Sequence, residues 1–421
     1  MTDLTRLTAR QAAGLVRKGQ VSPLELVDAA IARIAEVEPA VNALPILCFD
    51  RARDQAKRMM REGAAALERP LAGLPIAVKD LSRLQGVRTT WGSPIFSDHV
   101  ADRSDIGVET LERNGAIPVA KSNVPELGIG ANTTNPLFGA TRNPWNTDLT
   151  PGGSSGGAAV SVATGEVWLA GGSDGGCSLR VPASFCSVAT LRPTPGRIAS
   201  GTTSPVGPRY ALWETLAVEG TIGRTVGDVA LMFQAQVGAH PLDPRSMPAD
   251  GTSFLAAVVE ANRDRVKRDM IWNIERGKAL TSGVIAEAER RRADIVRRMA
   301  AFFERYDFLL CPAACTPPFD VNWPALMELE GHRFEHYYDW YTICFVISLT
   351  ANPAMSVPCG FTREGLPVGL QIIGPHRGEA GLLSTGRLVE EMAGISSRVP
   401  IDPRGPARSA PVVQPSTQAA S

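Results

Sequence analysis

Histidine is scarce, with five in 421 residues, and Cys311 and Cys315 have no second matching pair, so a zinc site is not expected. The seven cysteines, at 48, 177, 186, 311, 315, 344 and 359, are odd in number and scattered through a long chain. They read as buried thiols rather than as a disulfide framework. Net charge is also missing, since 43 basic residues balance 43 acidic ones. That balance removes the electrostatic reason to expect nucleic acid or an anionic membrane as a partner. No apolar run approaches the length of a bilayer span, and the N-terminal stretch lacks the apolar core of a signal peptide, so a cytoplasmic protein is expected.

What remains is an ordinary globular composition, 44% hydrophobic and 20% charged, in a chain long enough for a large core. The first seventy residues read as helical. Ser22 serves as N-cap before Pro23, Glu25 completes a capping box, and Leu24, Val27, Ile31 and Ile34 make an apolar face. From "GLPIAVKD" at 73–80 the texture changes to short apolar runs such as "IPVAK" alternating with turns and with helical stretches such as "DIGVETLERNG". This βαβ-like rhythm favours a sheet covered by helices. Residues 276–306 read as a long charged amphipathic helix, "DFLLCPAA" after it as a buried strand, and "GLPVGLQIIG" at 365–374 as another strand. The expected architecture is α/β: one large domain with a twisted mixed sheet flanked by helices. Its parts would be an N-terminal helical region at 1–70, a catalytic domain at 71–400 and an irregular Pro/Ser/Ala-rich tail at 401–421.

The chemistry is expected around "TPGGSSGG" at 150–157. A Gly/Ser linker would be longer and would separate folding units, whereas this stretch runs straight into a buried-helix pattern. A phosphate loop requires Lys and Ser/Thr after its last glycine, and Gly157 is followed by Ala158 and Ala159. A tight glycine-lined turn that holds a serine in an unusual backbone conformation remains. Two catalytic versions compete. In one, Gly152–Gly156 is the G-x-S-x-G elbow of an α/β-hydrolase esterase, Ser154 is the nucleophile, and a histidine is needed from among His240, His332, His336 and His376. The other needs no histidine. It joins the turn to Ser178, at the end of "GGSDGGCS", and to Lys79, at the end of the run "LPIAV", where desolvation favours a neutral amine that can act as a base.

"GLPIAVKD", "GGSSGG" and "GSDGGCSLR" occur in that order, flanked by "ATRNPWN", "LRPTPGRI", "DPRS" and "PVGLQIIG". In these segments the chain resembles the amidase signature family over roughly residues 5–400. The resemblance implies amide hydrolysis by a Ser-cisSer-Lys triad without metal or cofactor: Ser178 becomes acylated, and Ser154, after a cis peptide bond, relays the proton to Lys79. It further implies an oxyanion hole from the backbone of Gly175, Gly176, Cys177 and Ser178, and supporting positions for Ser155, Asp174 and Arg180. Gly128, Ile129 and Gly130 would lie beside the substrate, which would be a small amide or a carbamate. A homodimer is compatible with the N-terminal helices, and the glutamine-amide subunit of an amidotransferase is a related alternative. Two departures stand out. Cys177 replaces the usual glycine, which restricts the turn's backbone and makes the thiol a rival nucleophile. The chain is also short near 250–275, from which an open cleft that admits bulky amides, aryl amides or carbamates is expected.

Overall fold

Capping signals start the first two helices, α1 (Ala9–Arg17) and α2 (Pro23–Val41). The Thr8 side chain accepts from the Gln11 N–H while Gln11 answers the Thr8 N–H, and Ser22 and Glu25 repeat the arrangement ahead of Pro23. Each box satisfies donors that a helix N-terminus otherwise leaves open. On α2, Val27 and Ile34 are buried, and Leu24 and Ile31 pack partly buried against the same cluster. These helices belong to a computed structural model that describes residues 3–200, 203–204, 207–208, 216–249, 251, 253–254 and 282–405.

Nine strands form one sheet: β1 (Ile46–Leu47), β2 (Pro75–Lys79), β3 (Ile117–Ser122), β4 (Leu169–Asp174), β5 (Ala189–Arg192), β6 (Val218–Gly223), β7 (Leu309–Pro312), β8 (Ala354–Phe361) and β9 (Pro367–Ile373). Their spatial order is β1-β3-β2-β4-β6-β5-β8-β9-β7. Only the β3-β2-β4 pairings are parallel, and every other neighbour runs antiparallel. Around the sheet lie α3 (Phe49–Glu62), α4 (Ile106–Arg113), α5 (Gly156–Ala163), α6 (Arg180–Cys186), α7 (Val226–Gln236), α8 (Ser282–Phe303), α9 (Thr342–Leu349) and α10 (Glu379–Ala393). Among the described residues no helix is long and apolar enough to cross a membrane.

Strand alternation sets the two faces of β2. Ala77 packs with the α5 residues Ala158, Ala159 and Val162, whereas Ile76 and Val78 pack with Leu111 of α4 and Leu231 and Met232 of α7. Side chains two apart share a face, so Lys79 follows Ala77 onto the α5 side. All eight residues of α5 are buried, and Gly157 explains how the helix seats so deeply. A Cβ there would lie 2.5 Å from the Asn123 nitrogen and 2.6 Å from the Ala43 oxygen, so only glycine allows this approach.

One reading of the sequence is corrected. "DFLLCPAA" forms the last strand of the sheet rather than a buried one, and Leu310 is 53% exposed because β7 has a neighbour on one side only. The apolar run carries no record of which strand will be an edge. The helix expected over 276–306 is described as Ser282–Phe303, and residues 276–281 lie outside the described residues. So does nearly all of the 250–275 segment on which the open-cleft expectation rests. Of the tail, 401–405 folds back, with Ile401 donating to the Ala163 carbonyl and Arg404 to that of Pro144, and 406–421 lies outside the described residues.

Between α2 and the turn after α5, Glu38 and Glu166 bring two carboxyl groups together inside the protein. Burial pushes Glu38 up to about 7, and burial plus the neighbouring Glu38 charge pushes Glu166 well above the usual carboxylate range. The folded state therefore keeps a proton that the unfolded chain releases above about 4.5. Stability is full at low pH in this window and falls as pH rises from about 5 to 8. Glu166→Gln, neutral throughout, is expected to shrink the drop in thermal midpoint between pH 5 and 8 by roughly 2–4 °C. An unchanged drop would contradict the shared proton.

Candidate active site

Lys79 ends β2, is 2% exposed, and has three hydroxyls within hydrogen-bond distance of Nζ: Ser154 Oγ at 2.9 Å, Ser155 Oγ at 2.7 Å and Ser173 Oγ at 3.3 Å. The next residue, Asp80, faces a second buried lysine. Lys121 Nζ lies 2.7 Å from Asp80 Oδ1 and 2.9 Å from Thr89 Oγ1, and the Thr90 hydroxyl donates to Asp80 Oδ2 at 2.5 Å. Both members of the ion pair are almost wholly buried. Removing one partner of such a pair costs about 3–5 kcal/mol because it strands the other charge. The pair thus pins the ends of β2 and β3 where Lys79 leaves the sheet.

The 150–157 turn is held from two sides. Thr133 Oγ1 donates to the Gly152 carbonyl at 2.9 Å and accepts the Gly156 N–H at 3.1 Å. Asn132 accepts from Thr150 Oγ1 at 2.6 Å and donates to the Val321 and Trp323 carbonyls, which ties this turn to the 319–323 segment. The Gly153–Ser154 peptide bond is cis. Gly153 packs so closely on the backbone of Ala131 and Asn132 that a Cβ would lie 2.9 Å from the Asn132 nitrogen. This seats the 128–132 loop, with Gly128, Ile129 and Gly130 all buried, against the serine turn.

Ser178 reaches the same place from β4. Its carbonyl accepts the Ser155 N–H at 3.0 Å, and the residue is 2% exposed. The turn that carries it begins at Asp174, whose carboxylate lies 3.0 Å from Arg192 Nε and 3.6 Å from Arg180 Nε. Arg180 is fully buried. It donates to Gln371 Oε1, to Ser348 Oγ at 3.0 Å, to the Cys344 carbonyl at 3.2 Å and to the Gly176 carbonyl at 3.4 Å. Lys79, Ser154, Ser155, Asp174, Ser178 and Arg180 are therefore drawn together from segments up to about a hundred residues apart in sequence.

Cys177 lies outside the left-handed region, so its Cβ costs the turn no backbone strain. Its side chain is 2% exposed and packs with Ala131, Val181, Phe185, Phe319, Trp340 and Cys344. The thiol belongs to an aromatic-rich cluster, which explains why a side chain is accommodated here. The histidines of the esterase version lie in other settings. His376 is exposed, His240 accepts the Leu242 N–H in its own turn, and His336 stacks on Tyr338 beside Asp339.

Sequence reasoning missed Ser173, Asp80, Lys121, Thr133, Arg192 and Ser348. Asp80 and Ser173 sit inside the quoted motifs and were within reach. Ser348 lies in an apolar helix 170 residues beyond Ser178, where nothing marks it. Among the described residues no group of three or more His, Cys, Asp or Glu side chains is placed to hold a metal.

Comparison with known proteins bears on this geometry. The Amidase family model matches residues 25–266 and 249–383, two stretches that overlap at 249–266. An acylamidase from Rhodococcus erythropolis is 30% identical, with 95% of this chain and 98% of the relative covered. That alignment runs to 481 residues against 421 in this chain, so the relative carries segments this chain lacks. A glutamyl-tRNA(Gln) amidotransferase subunit from Geobacillus kaustophilus (strain HTA426) is 31% identical, with 92% and 97% covered. In fold, the chain superposes on a bacterial aryl acylamidase with a TM-score of 0.83 at 23% identity, covering 94% of this chain and 98% of that one. With the family match spanning most of its length, the chain belongs to the amidase signature family of amide-hydrolysing enzymes.

Proposed function

We propose that this protein hydrolyses the C–N bond of aryl amides or carbamates through an acyl-enzyme on Ser178, activated by Ser154 and Lys79. The observation that carries the reading is the 2.9 Å contact between Lys79 Nζ and Ser154 Oγ, next to a backbone bond that joins Ser155 to Ser178. Burial strips the water that stabilises an ammonium, so the neutral amine is the form suited to this pocket. A neutral amine keeps a lone pair that can take the Ser154 proton.

In the reaction, Ser178 Oγ attacks the substrate carbonyl carbon as its proton passes to Ser154 Oγ and the Ser154 proton passes to Lys79 Nζ. The oxyanion accepts from backbone N–H groups among Gly175, Gly176, Cys177 and Ser178, donors worth about 2.7–4 kcal/mol each. Collapse breaks the C–N bond, the relay returns the proton to the departing nitrogen, and water then releases the acyl group by the same path. Ser155 and Ser173 orient Lys79, and Gly128, Ile129 and Gly130 flank the bound acyl group.

An aromatic cluster beside Cys177 supports aryl and bulky substrates over a tiny amide. The amidotransferase relative, at similar identity, favours a second reading in which the amide is that of glutamine and a partner subunit takes up the ammonia.

Lys79→Ala is expected to lower kcat on a chromogenic anilide by at least 10³-fold, while His240→Ala and His376→Ala stay within about twofold of the parent. The reverse pattern would support the esterase mechanism. A base-dependent limb of the kcat/KM pH profile should be lost in Lys79→Ala and kept in His240→Ala and His376→Ala, and a limb that survives in Lys79→Ala but disappears with either histidine would contradict a lysine base. Across a panel of acetamide, glutamine, acetanilide and an N-aryl carbamate, the last two should react fastest. A sharp preference for acetamide overturns the substrate class, and a preference for glutamine selects the second reading.

A further inference from the structure

The Gly176–Cys177 peptide unit presents two opposite ends. Its N–H belongs to the residue before Ser178, and its C=O is met by side chains inside the protein. Among the described contacts, the Arg180 guanidinium and the Ser348 hydroxyl each meet that carbonyl at 3.4 Å. In a trans peptide the C=O and N–H are antiparallel and lie in one plane, so fixing the first fixes the direction of the second. A donor on the carbonyl oxygen also draws electron density from the amide and makes its N–H a stronger donor.

Ser348 is fully buried on α9, and its hydroxyl accepts from Arg180 at 3.0 Å, which leaves its own proton to be donated. Among the described contacts it reaches the carbonyls of Gly176 and Cys344, each at 3.4 Å. Arg180 is in turn held by Asp174 and Gln371. The charge of the guanidinium is thereby directed at the back of one peptide bond.

We propose that Ser348 is a positioning residue for catalysis: with Arg180, it orients and polarises the Gly176–Cys177 peptide so that the Cys177 N–H binds the oxyanion of the transition state. The effect should be small in the ground state, where the substrate carbonyl is neutral, and large once the oxygen is charged. This rests on Ser178 as the nucleophile.

The test measures anilide hydrolysis and inhibition by a trifluoromethyl ketone, whose adduct with a serine carries an oxyanion. It compares the parent with Ser348→Ala, Ser348→Cys, Ser348→Thr and Ser178→Ala. Ser348→Cys keeps the volume but donates poorly, so it separates the hydroxyl from a cavity effect. Expected are a fall of about tenfold in kcat and a matching rise in the ketone Ki for the Ala and Cys variants. KM, the thermal midpoint and the shape of the pH profile should be unchanged, and Ser348→Thr should restore activity to within about twofold. The inference is overturned if kcat and Ki stay within twofold of the parent in both variants, or if KM and the midpoint move with kcat. If Ser178→Ala retains parental activity, the acyl-enzyme reading falls and this inference with it. If Ser178→Ala is inactive while Ser348→Ala and Ser348→Cys are normal, only the inference falls.

Discussion

A lysine amine surrounded by hydroxyls inside a nearly dry pocket is the constraint on which this structure turns. Lys79 Nζ has Ser154, Ser155 and Ser173 within 3.3 Å at 2% exposure. Such an arrangement persists only if the backbone on every side is fixed, because a small drift would strand a buried polar group. Three devices supply the rigidity. The parallel strands β2, β3 and β4 set the root of the side chain, and the Asp80–Lys121 pair locks the strand ends. Gly153 and Gly157 let the serine turn and α5 press directly onto neighbouring backbone, where any larger residue would force them apart.

The second serine is positioned by different means. Its turn is gripped at the start by Asp174 between two buried arginines and in the middle through the Gly176 carbonyl. At the end, the Ser178 carbonyl is bound by the Ser155 N–H. Charge on one side and hydroxyls on the other thus meet along a single short turn. The adjoining aromatic cluster, from Phe185 to Trp340, explains why the residue at 177 carries a side chain at all. A thiol packed among rings fills volume next to the turn without demanding an unusual backbone angle.

Much of this was legible in the sequence, and the parts that were not share a cause. The α2 capping box, its buried face and the strand at Lys79 are encoded locally, by residues within a turn or two of one another. The grouping of Lys79, Ser154 and Ser178 is non-local, and without the resemblance of three motifs the spacing alone left an esterase elbow open. The βαβ rhythm pointed to a helix-covered sheet, yet parallel pairing is confined to three strands, because strand order depends on which edges remain available after the first pairs form. Ser348 and Gln371 escaped notice for the same reason. Each is an isolated polar residue in an apolar element, and its meaning comes from an arginine more than 160 residues away. The edge position of β7 is likewise a property of the assembled sheet rather than of "DFLLCP".

The central claim is that acyl transfer occurs on Ser178 and that Ser154 and Lys79 carry its proton. Peptide mapping by mass spectrometry after reaction with a fluorophosphonate tests it most directly. The account predicts a single adduct on the peptide bearing Ser178. An adduct on Ser154 or on Cys177, or no adduct on an enzyme that still hydrolyses amides, would contradict it.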